Sequence, residues 1–491
     1  MKSKFSKVLS ILLSVVLVIS SFYLLYQVIR LNVLPSKFLF PLTIGVVVLD
    51  AIFILLLVYF SKNVVSKIVC IVLTLFICVA SCMGGYYISK TQNVLSNITN
   101  VAKHAKNTVS VVVKESSSIK NKSQLNGVSV GNLRLNEQGS KKALKELSGE
   151  GIVLNQTEYD SMTALLEAFY NGEVDSIIIN ESSRSQILDM EAYSNFDSNT
   201  RVVYQTSYKV KNNDSATSVS DITSKPFNVL ISGSDTRGGF DENGRSDVIM
   251  IATVNPKTHT ILLTSVPRDF YVTTACDAGD GCMQGALDKI THTGIHGTNT
   301  TKRTVEQLLG IEINYTFKVG FDTVTELVDI LGGVDVYVEP GYATTTSQFS
   351  VHEGVNHLNG EQALAFARER YSYTEGDRQR TKNQQQVLMG IVKEATKPSV
   401  ITNYAAIMDT MANTFSTTMS NEEITDLIKY QLNNNPTWKM EQYMVDGTGD
   451  TLMCAELGDA ASVMVPDQST VKMAKDKINA VLAGKSSEDV K

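Results

Sequence analysis

The 491-residue chain has no excess of basic charge: 44 Lys and Arg stand against 50 Asp and Glu, a formal net charge of −6. No general positive field therefore draws it to nucleic acid, and any anion must be met by local arginine clusters. The motif for zinc is missing too. No second CxxC and no His pair sits at ligand spacing, and His259, His292, His296, His352 and His357 read as surface or turn residues. The first apolar run lacks a small-residue cleavage site, which argues against a cleaved secretory precursor. Cysteine is scarce: of six, Cys70, Cys78 and Cys82 lie inside an apolar run, and Cys276, Cys282 and Cys454 lie in the polar remainder. Cys276 and Cys282 bracket the short loop DAGDG, a spacing compatible with a disulfide outside the cell and equally with two free thiols.

What the chain does have is apolar residues, at 43% with a mean hydropathy near zero. Such an average combines membrane and soluble parts. Residues 8–29, 38–60 and 68–88 form three apolar runs, each about the twenty residues that span a bilayer as a helix. Lys2, Lys4 and Lys7 precede the first run and Lys62 and Lys67 separate the second from the third, against Arg30 and Lys37 between the first and second. The positive-inside rule then places the N-terminus in the cytoplasm and everything after Tyr87 outside, where ATP is absent. The expected localisation is a multi-pass membrane protein with a large extracellular C-terminal region.

Beyond the spans, SVVVK and GVSVGNLRL read as strands, residues 139–147 and 160–171 as amphipathic helices, and VDSIIINE as a buried strand. This small α/β region carries no obvious chemistry, which suggests a structural or docking role. The expected plan is three transmembrane helices over 1–88, an accessory domain over 89–210, a polar linker over 211–225 and a larger α/β domain over 226–485.

The larger domain opens on PFNVLISGSDTR, a buried strand that leaves Asp235 at its carboxyl end, where α/β folds place ligands. VIMIATV and TILLTSVPRD follow, joined by the turn NPKTH, and should pair antiparallel; counting outward from the turn sets Asp247 opposite Arg268. Asp235, Arg245, Asp247 and Arg268 then meet at one sheet edge. Residues 366–388, FARERYSYTEGDRQRTKNQQQVL, pack Arg368, Arg370, Arg378 and Arg380 around Asp377. An extended course over 363–371 would point Arg368 and Arg370 the same way. A helix from Asp377 would set Asp377, Arg380 and Gln384 on one stripe that Leu388 and Ile391 continue as core. Arginines at a helix N-terminus suit a phosphate group, and Asp235 and Asp247 offer oxygen ligands to Mg²⁺, or Mn²⁺ in its place. Phe321, Val324, Leu327, Val328 and Leu331 form a helical apolar stripe, either ordinary core or part of a groove for an apolar chain. Residues 420–432 carry a Ser420–Glu423 capping box.

SGSDTR, GRSDVIMIATVNP, TSVPRD, VDILGGVDVYV, LNGEQALAFARER and GDRQRTKNQQQ, in this order, resemble the LytR-CpsA-Psr family over residues 226–482. With its three spans and small domain, the whole chain resembles the CpsA-type capsule subgroup of streptococci. The resemblance implies an α-β-α layered domain with a mixed central sheet. It also implies an extracellular phosphotransferase that moves a glycopolymer, here a capsular polysaccharide, from a polyprenyl-pyrophosphate carrier to peptidoglycan, with other capsule-assembly proteins as partners. By motif position, Asp235 and Asp247 match metal-binding aspartates. Arg245, Arg268, Arg368, Arg370, Asp377, Arg380, Gln384 and Lys289 match pyrophosphate-site residues, with Asp235, Asp247, Arg268, Arg368 and Arg370 as the catalytic set. Two departures stand out. KITHTGIHG differs from the usual pattern after Lys289, and Asn383 stands where many members have Arg, which predicts a weaker clamp at that corner or compensation by Lys382. A pyrophosphate hydrolase and a non-catalytic lipid-binding regulator are the alternatives. A transcriptional attenuator would need a DNA-reading module, and the short cytoplasmic segments leave no room for one.

Overall fold

The computed structural model describes residues 2–60, 63–101, 104–134, 137–211, 214–234, 242–277, 281–397, 400, 406–407, 410 and 415–491. Its apolar runs are the helices α1 (Lys2–Leu31), α2 (Ser36–Leu55) and α3 (Val64–Val101). They contain stretches long and apolar enough to cross a membrane at Lys7–Leu31, Ser36–Phe60 and Val64–Val94. The third helix runs unbroken to Val101, so residue 88 is not a structural boundary. Lipid offers polar side chains no partners, and Ser21 of α1 accordingly donates to Asp50 Oδ1 of α2 at 2.9 Å.

Contacts divide the chain into two compact units. The first joins Met1–Asn97 to Thr396–Ala412 and Ser420–Pro436. Within it the helix Asn421–Asn434, started by the expected Ser420–Glu423 capping box, meets the connection between α1 and α2. Lys37 Nζ donates to the Asn433 carbonyl at 2.6 Å and Lys429 Nζ to Asn32 Oδ1 at 2.8 Å.

The second unit, Ile98–Ala395 with Asn413–Met419 and Thr437–Lys491, holds two sheets. The smaller is built from β1 (His104–Lys114), β2 (Ser129–Leu133), β3 (Asn155–Tyr159), β4 (Ser176–Asn180) and β5 (Thr200–Lys211), in the order β3-β2-β4-β1-β5. Its central strand SIIIN is apolar at consecutive positions because both faces are covered. Ile177 and Ile179 meet Leu165 and Phe169 of α5 (Met162–Asn171), while Ile178 meets Ala143 and Leu147 of α4 (Glu137–Gly149). The short helices α6 (Arg184–Asp189) and α7 (Phe196–Asn199) complete this layer.

The larger sheet begins with β6 (Phe227–Ser234), β7 (Ser246–Asn255) and β8 (Thr260–Ser265), paired antiparallel in that order. The short strands β9 (Tyr271–Thr273) and β10 (Leu287–Lys289) form their own pair. β11 (Tyr315–Gly320) adds to β6 in parallel, Phe415–Thr417 closes that edge, and Lys439–Met444 runs parallel to β8 at the other. The sheet is mixed, as the family resemblance implied. On one face α8 (Thr298–Leu309) and the terminal helix Gln468–Leu482 bury Val305, Leu309, Ala474 and Ile478 against Leu230, Ile251 and Leu262. The other layer contains α9 (Phe321–Ile330), α10 (Gly360–Arg368) and α11 (Asp377–Ala395), with Val328, Ala363, Phe366 and Val387 in a shared core.

The extended course expected over 363–371 is overturned. Asn359 caps α10 by accepting from the Gln362 amide at 2.9 Å while Gln362 Oε1 accepts from the Asn359 amide at 3.1 Å, and this box commits the segment to helix as far as Arg368. Gly360, the first residue of that helix, lies so close to the Thr325 carbonyl of α9 that a Cβ would collide with it.

Candidate active site

The strand edge forms as the hairpin register requires. Met250 faces Ser265 and Ile251 faces Thr264, and Val266 continues the ladder by donating to the Ile249 carbonyl at 2.9 Å. Carried outward, that register sets Arg268 Nη1 2.9 Å from Asp247 Oδ1. Thr291 Oγ1 donates to the same oxygen at 3.3 Å, and Arg245 Nε lies 3.9 Å from it. The end of β6 joins this edge, since Ser234 pairs with Ser246. Asp235, the next residue, lies outside the described residues. Lys289, at the end of β10, reaches Asp269 Oδ1 at 3.5 Å, and Asp269 Oδ2 lies 3.8 Å from Arg268 Nε.

The helix edge starts at Gly376, whose φ of 55° is left-handed backbone that suits glycine and turns the chain into α11. Asp377 in the first turn complements the helix dipole. Its carboxylate receives Arg380 Nη2 at 3.1 Å and Arg370 Nη1 at 3.5 Å. Burial alone would raise the Asp377 carboxyl, but Arg380, Arg268 and Arg370 hold it below its ordinary value. Arg380 bears the opposite strain: burial, then Arg268, pull its guanidinium down against the attraction of Asp377. Arg268 is pushed up, its burial outweighed by Asp247 and Asp269. The two edges thus share one electrostatic cluster. Arg268 Nε and Arg380 Nε are both buried without a hydrogen-bond acceptor among the described residues. Buried donors ordinarily find acceptors, and two guanidinium donors left without one in the same electrostatic cluster fit an anion.

Other expected members lie elsewhere. Arg378 turns away from Asp377: its Nε donates to Asp446 Oδ1 at 2.7 Å and its Nη2 to the Gly447 carbonyl at 2.9 Å. Arg368 is exposed, stacks over the Phe321 ring at 5.0 Å and lines a cleft of about 740 Å³ with Thr325, Ser347, Gln348, Glu361 and Leu364. No described contact joins it to Asp377. Gln384 is half-buried on the Asp377–Arg380 stripe, but the fully buried stripe runs through Gln379, Asn383, Val387 and Gly390, so Leu388 and Ile391 are only partly covered. Asn383 is scaffold: its Nδ2 donates to the Phe366 carbonyl at 3.0 Å and its Oδ1 accepts from Gln379 at 2.9 Å. Lys382 does not fill that corner, because it lies 3.4 Å from Glu375 and over the Tyr342 ring. The neighbouring Gln385 ties α11 to the sheet by donating to the Tyr443 carbonyl at 2.8 Å.

Sequence reasoning missed Asp269, Thr291 and the carboxylate of Asp189, which accepts from Arg245 Nη1. Asp269 had a signal, its place directly after Arg268. The histidine reading also needs correction. His292 is buried with Nδ1 2.7 Å from Asp288 Oδ1, and His296 Nε2 lies 2.9 Å from Glu456 Oε2. Burial would raise Asp288, but His292 helps hold it low. Cys276 and Cys282 form the disulfide that the spacing had left open.

For a metal ion, Asp247 has suitable chemistry: its described contacts all fall on Oδ1, and among the described residues Oδ2 takes no hydrogen bond. No trio of His, Cys, Asp or Glu gathers among the described residues. Mg²⁺ does not require one, since it is commonly held by one or two carboxylates with phosphate oxygens and water.

The model of a known family, LytR_cpsA_psr, matches residues 192–480, which hold both edges of this site. The chain belongs to the LytR_cpsA_psr family. A Bacillus cereus protein named polyisoprenyl-teichoic acid–peptidoglycan teichoic acid transferase TagU is 31% identical over 241 residues, 48% of this chain and 76% of the relative. The Bacillus subtilis protein of that name is 34% identical over 203 residues, 41% of this chain and 63% of the relative. Among solved structures, protein gbs0355 from Streptococcus agalactiae is 26% identical and covers 53% of this chain and 89% of its own, with a TM-score of 0.46. The LytR_cpsA_psr match includes every site residue named above except Asp189, which precedes it.

Proposed function

We propose that this enzyme is a membrane-anchored glycopolymer transferase, which moves a capsular polysaccharide from a polyprenyl-pyrophosphate carrier to peptidoglycan outside the cell. The observation that carries the reading is the pair of buried donors on Arg268 and Arg380 beside Asp377 that have no acceptor among the described residues. A pyrophosphate would supply the missing acceptors, and Arg370 stands at the rim of the same cluster. The names of the Bacillus relatives support a polyisoprenyl-linked glycopolymer and peptidoglycan as the substrate kind. The three spans and the small domain, features of the streptococcal capsule subgroup, favour capsule over teichoic acid. The extracellular placement rests on the lysine and arginine count and on α1–α2, whose connection holds the helix Asn421–Asn434.

The chemistry follows from the residues. Arg268, Arg370 and Arg380 hold the pyrophosphate oxygens and are already oriented by Asp247 and Asp377, so little reorganisation accompanies charge build-up. A peptidoglycan sugar hydroxyl attacks the sugar-proximal phosphorus; its O–P bond forms, the bridging P–O bond breaks, and polyprenyl phosphate leaves. The hydroxyl proton passes to a site carboxylate, Asp247 or Asp235. A Mg²⁺ ion, or Mn²⁺, held by these same two aspartates would neutralise phosphate charge when bound. No nucleotide is consumed, because the pyrophosphate bond is already activated. The carrier's apolar tail is assigned to this domain and not to named residues, since Val324 and Val328 of the expected stripe pack in the core.

The deciding experiment supplies the full chain in detergent with lipid-linked oligosaccharide, peptidoglycan and MgCl₂. Phosphodiester-linked glycan on peptidoglycan is the expected product, lost when EDTA replaces MgCl₂ and in Asp247→Ala. Only free phosphorylated glycan would establish a hydrolase instead, and retained lipid without turnover a binding protein.

A further inference from the structure

Residues 242–245 lead into β7 and its site residues, and the layer of the small sheet grips them at two points. The buried Glu242 carboxylate accepts from Thr108 Oγ1 at 2.6 Å and pairs with Lys106 Nζ at 3.1 Å, both on β1. Two residues short of Asp247, Arg245 Nη1 donates to Asp189 Oδ2. Asp189 is the last residue of α6, where a carboxylate faces the negative end of the helix dipole. Helix α6 does not favour it there; Arg245 does.

That contact also decides where Arg245 points. Its Nε stays 3.9 Å from Asp247. The charges acting most strongly on Arg268, Asp377 and Arg380 come from one another and from Asp247, Asp269 and Arg370, and Arg245 is not among them. Of the arginines expected at the pyrophosphate site, Arg245 is thus the one already holding an anion that belongs to another layer of the molecule.

We propose that Asp189 is an internal anion of the pyrophosphate site, which occupies Arg245 until a substrate phosphate displaces it and thereby frees α6 from Arg245. This rests on the transferase reading above. The exchange runs in the right direction. The Asp189 side chain is 60% exposed and singly charged, whereas that of Arg245 is 10% exposed. A largely exposed carboxylate is a weaker competitor than a buried one, while a phosphate offers a guanidinium bidentate and more highly charged contacts. Asp189 therefore tunes affinity without closing the site, and it couples substrate binding to the small domain.

The test is calorimetric titration of the full chain in detergent with geranyl pyrophosphate and MgCl₂. Asp189→Asn, which keeps shape and removes charge, should bind about two- to fivefold tighter. Arg245→Ala should bind more weakly, and adding Asp189→Asn to it should bring no further gain, an interaction that a general loosening of the fold would not produce. Unchanged or weaker binding by Asp189→Asn, or a gain that persists without Arg245, overturns the inference. Arg380→Ala separates the two levels. If it loses binding while Asp189→Asn is silent, only the Asp189 inference falls; if it binds like the wild type, the site reading falls with it.

Discussion

The two edges of the clamp hold their arginines in different electrical states. At the strand edge each arginine meets a carboxylate: Arg268 meets Asp247 and Asp269, and Arg245 meets Asp189. At the helix edge Arg370 and Arg380 share the single carboxylate of Asp377, and Arg380, mostly buried, is left with its guanidinium pulled below its ordinary value. A hairpin spreads its charged side chains along a ladder, where several carboxylates can reach them, whereas the start of a helix crowds arginines around one carboxylate. The helix edge therefore has less carboxylate per arginine than the strand edge, while each edge keeps one buried guanidinium donor, on Arg268 and on Arg380, without an acceptor among the described residues.

That comparison can be broken most severely by Arg380→Ala. Loss of a preorganised donor aimed at developing phosphate charge should lower kcat/KM for transfer about 10²- to 10³-fold, measured with lipid-linked oligosaccharide and peptidoglycan. Arg378→Ala, two residues away, should leave turnover within about threefold, because Arg378 serves Asp446 in a pair about two-fifths exposed on each side. Equal losses in the two variants would show that arginine number, and not orientation, makes the site. Next comes Asn383→Ala, which removes a donor from the Phe366 carbonyl and the acceptor of the buried Gln379 amide. It should cost on the order of 1–3 kcal/mol in chemical denaturation while kcat/KM per folded molecule holds. A selective loss of turnover would return Asn383 to the clamp.

An effect confined to stability, and dependent on pH, is expected away from the site. Asp214, whose Oδ2 accepts from Thr316 Oγ1 at 2.6 Å beside β11, is pushed by burial up to about 6. A folded pKa above the unfolded one means that this carboxyl favours the fold at low pH and that its contribution is lost as pH rises through about 6. Asp214→Asn should therefore raise Tm at pH 8, with a benefit of about 1–3 kcal/mol, and bring no gain at pH 4. Equal effects at both pH values would contradict the assignment.

How much of this was legible in sequence follows from the physics of each element. The Asp247–Arg268 pair could be counted from a five-residue turn, because an antiparallel register is arithmetic once the turn is known. The start of α11 was legible from Gly376 and Asp377, and the Arg380 contact from the i, i+3 spacing. Arg378 misled because neighbours on a helix diverge by about 100°, which composition does not show. Arg368 misled because ALAFAR suits strand and helix alike, and the Asn359–Gln362 box decided the matter. His296 finds Glu456 160 residues away, a meeting that only the tertiary fold creates. The Asp189 contact, 56 residues from Arg245 and in a region without evident chemistry, left no sequence signal at all.

The central claim, that Arg268, Arg370 and Arg380 hold a pyrophosphate, is tested most directly by the Kd of geranyl pyrophosphate for the full chain in detergent, compared between Arg380→Ala and Arg378→Ala. At least tenfold weaker binding is expected for Arg380→Ala and an unchanged Kd for Arg378→Ala. Wild-type affinity in Arg380→Ala, or an equal loss in both, would contradict it.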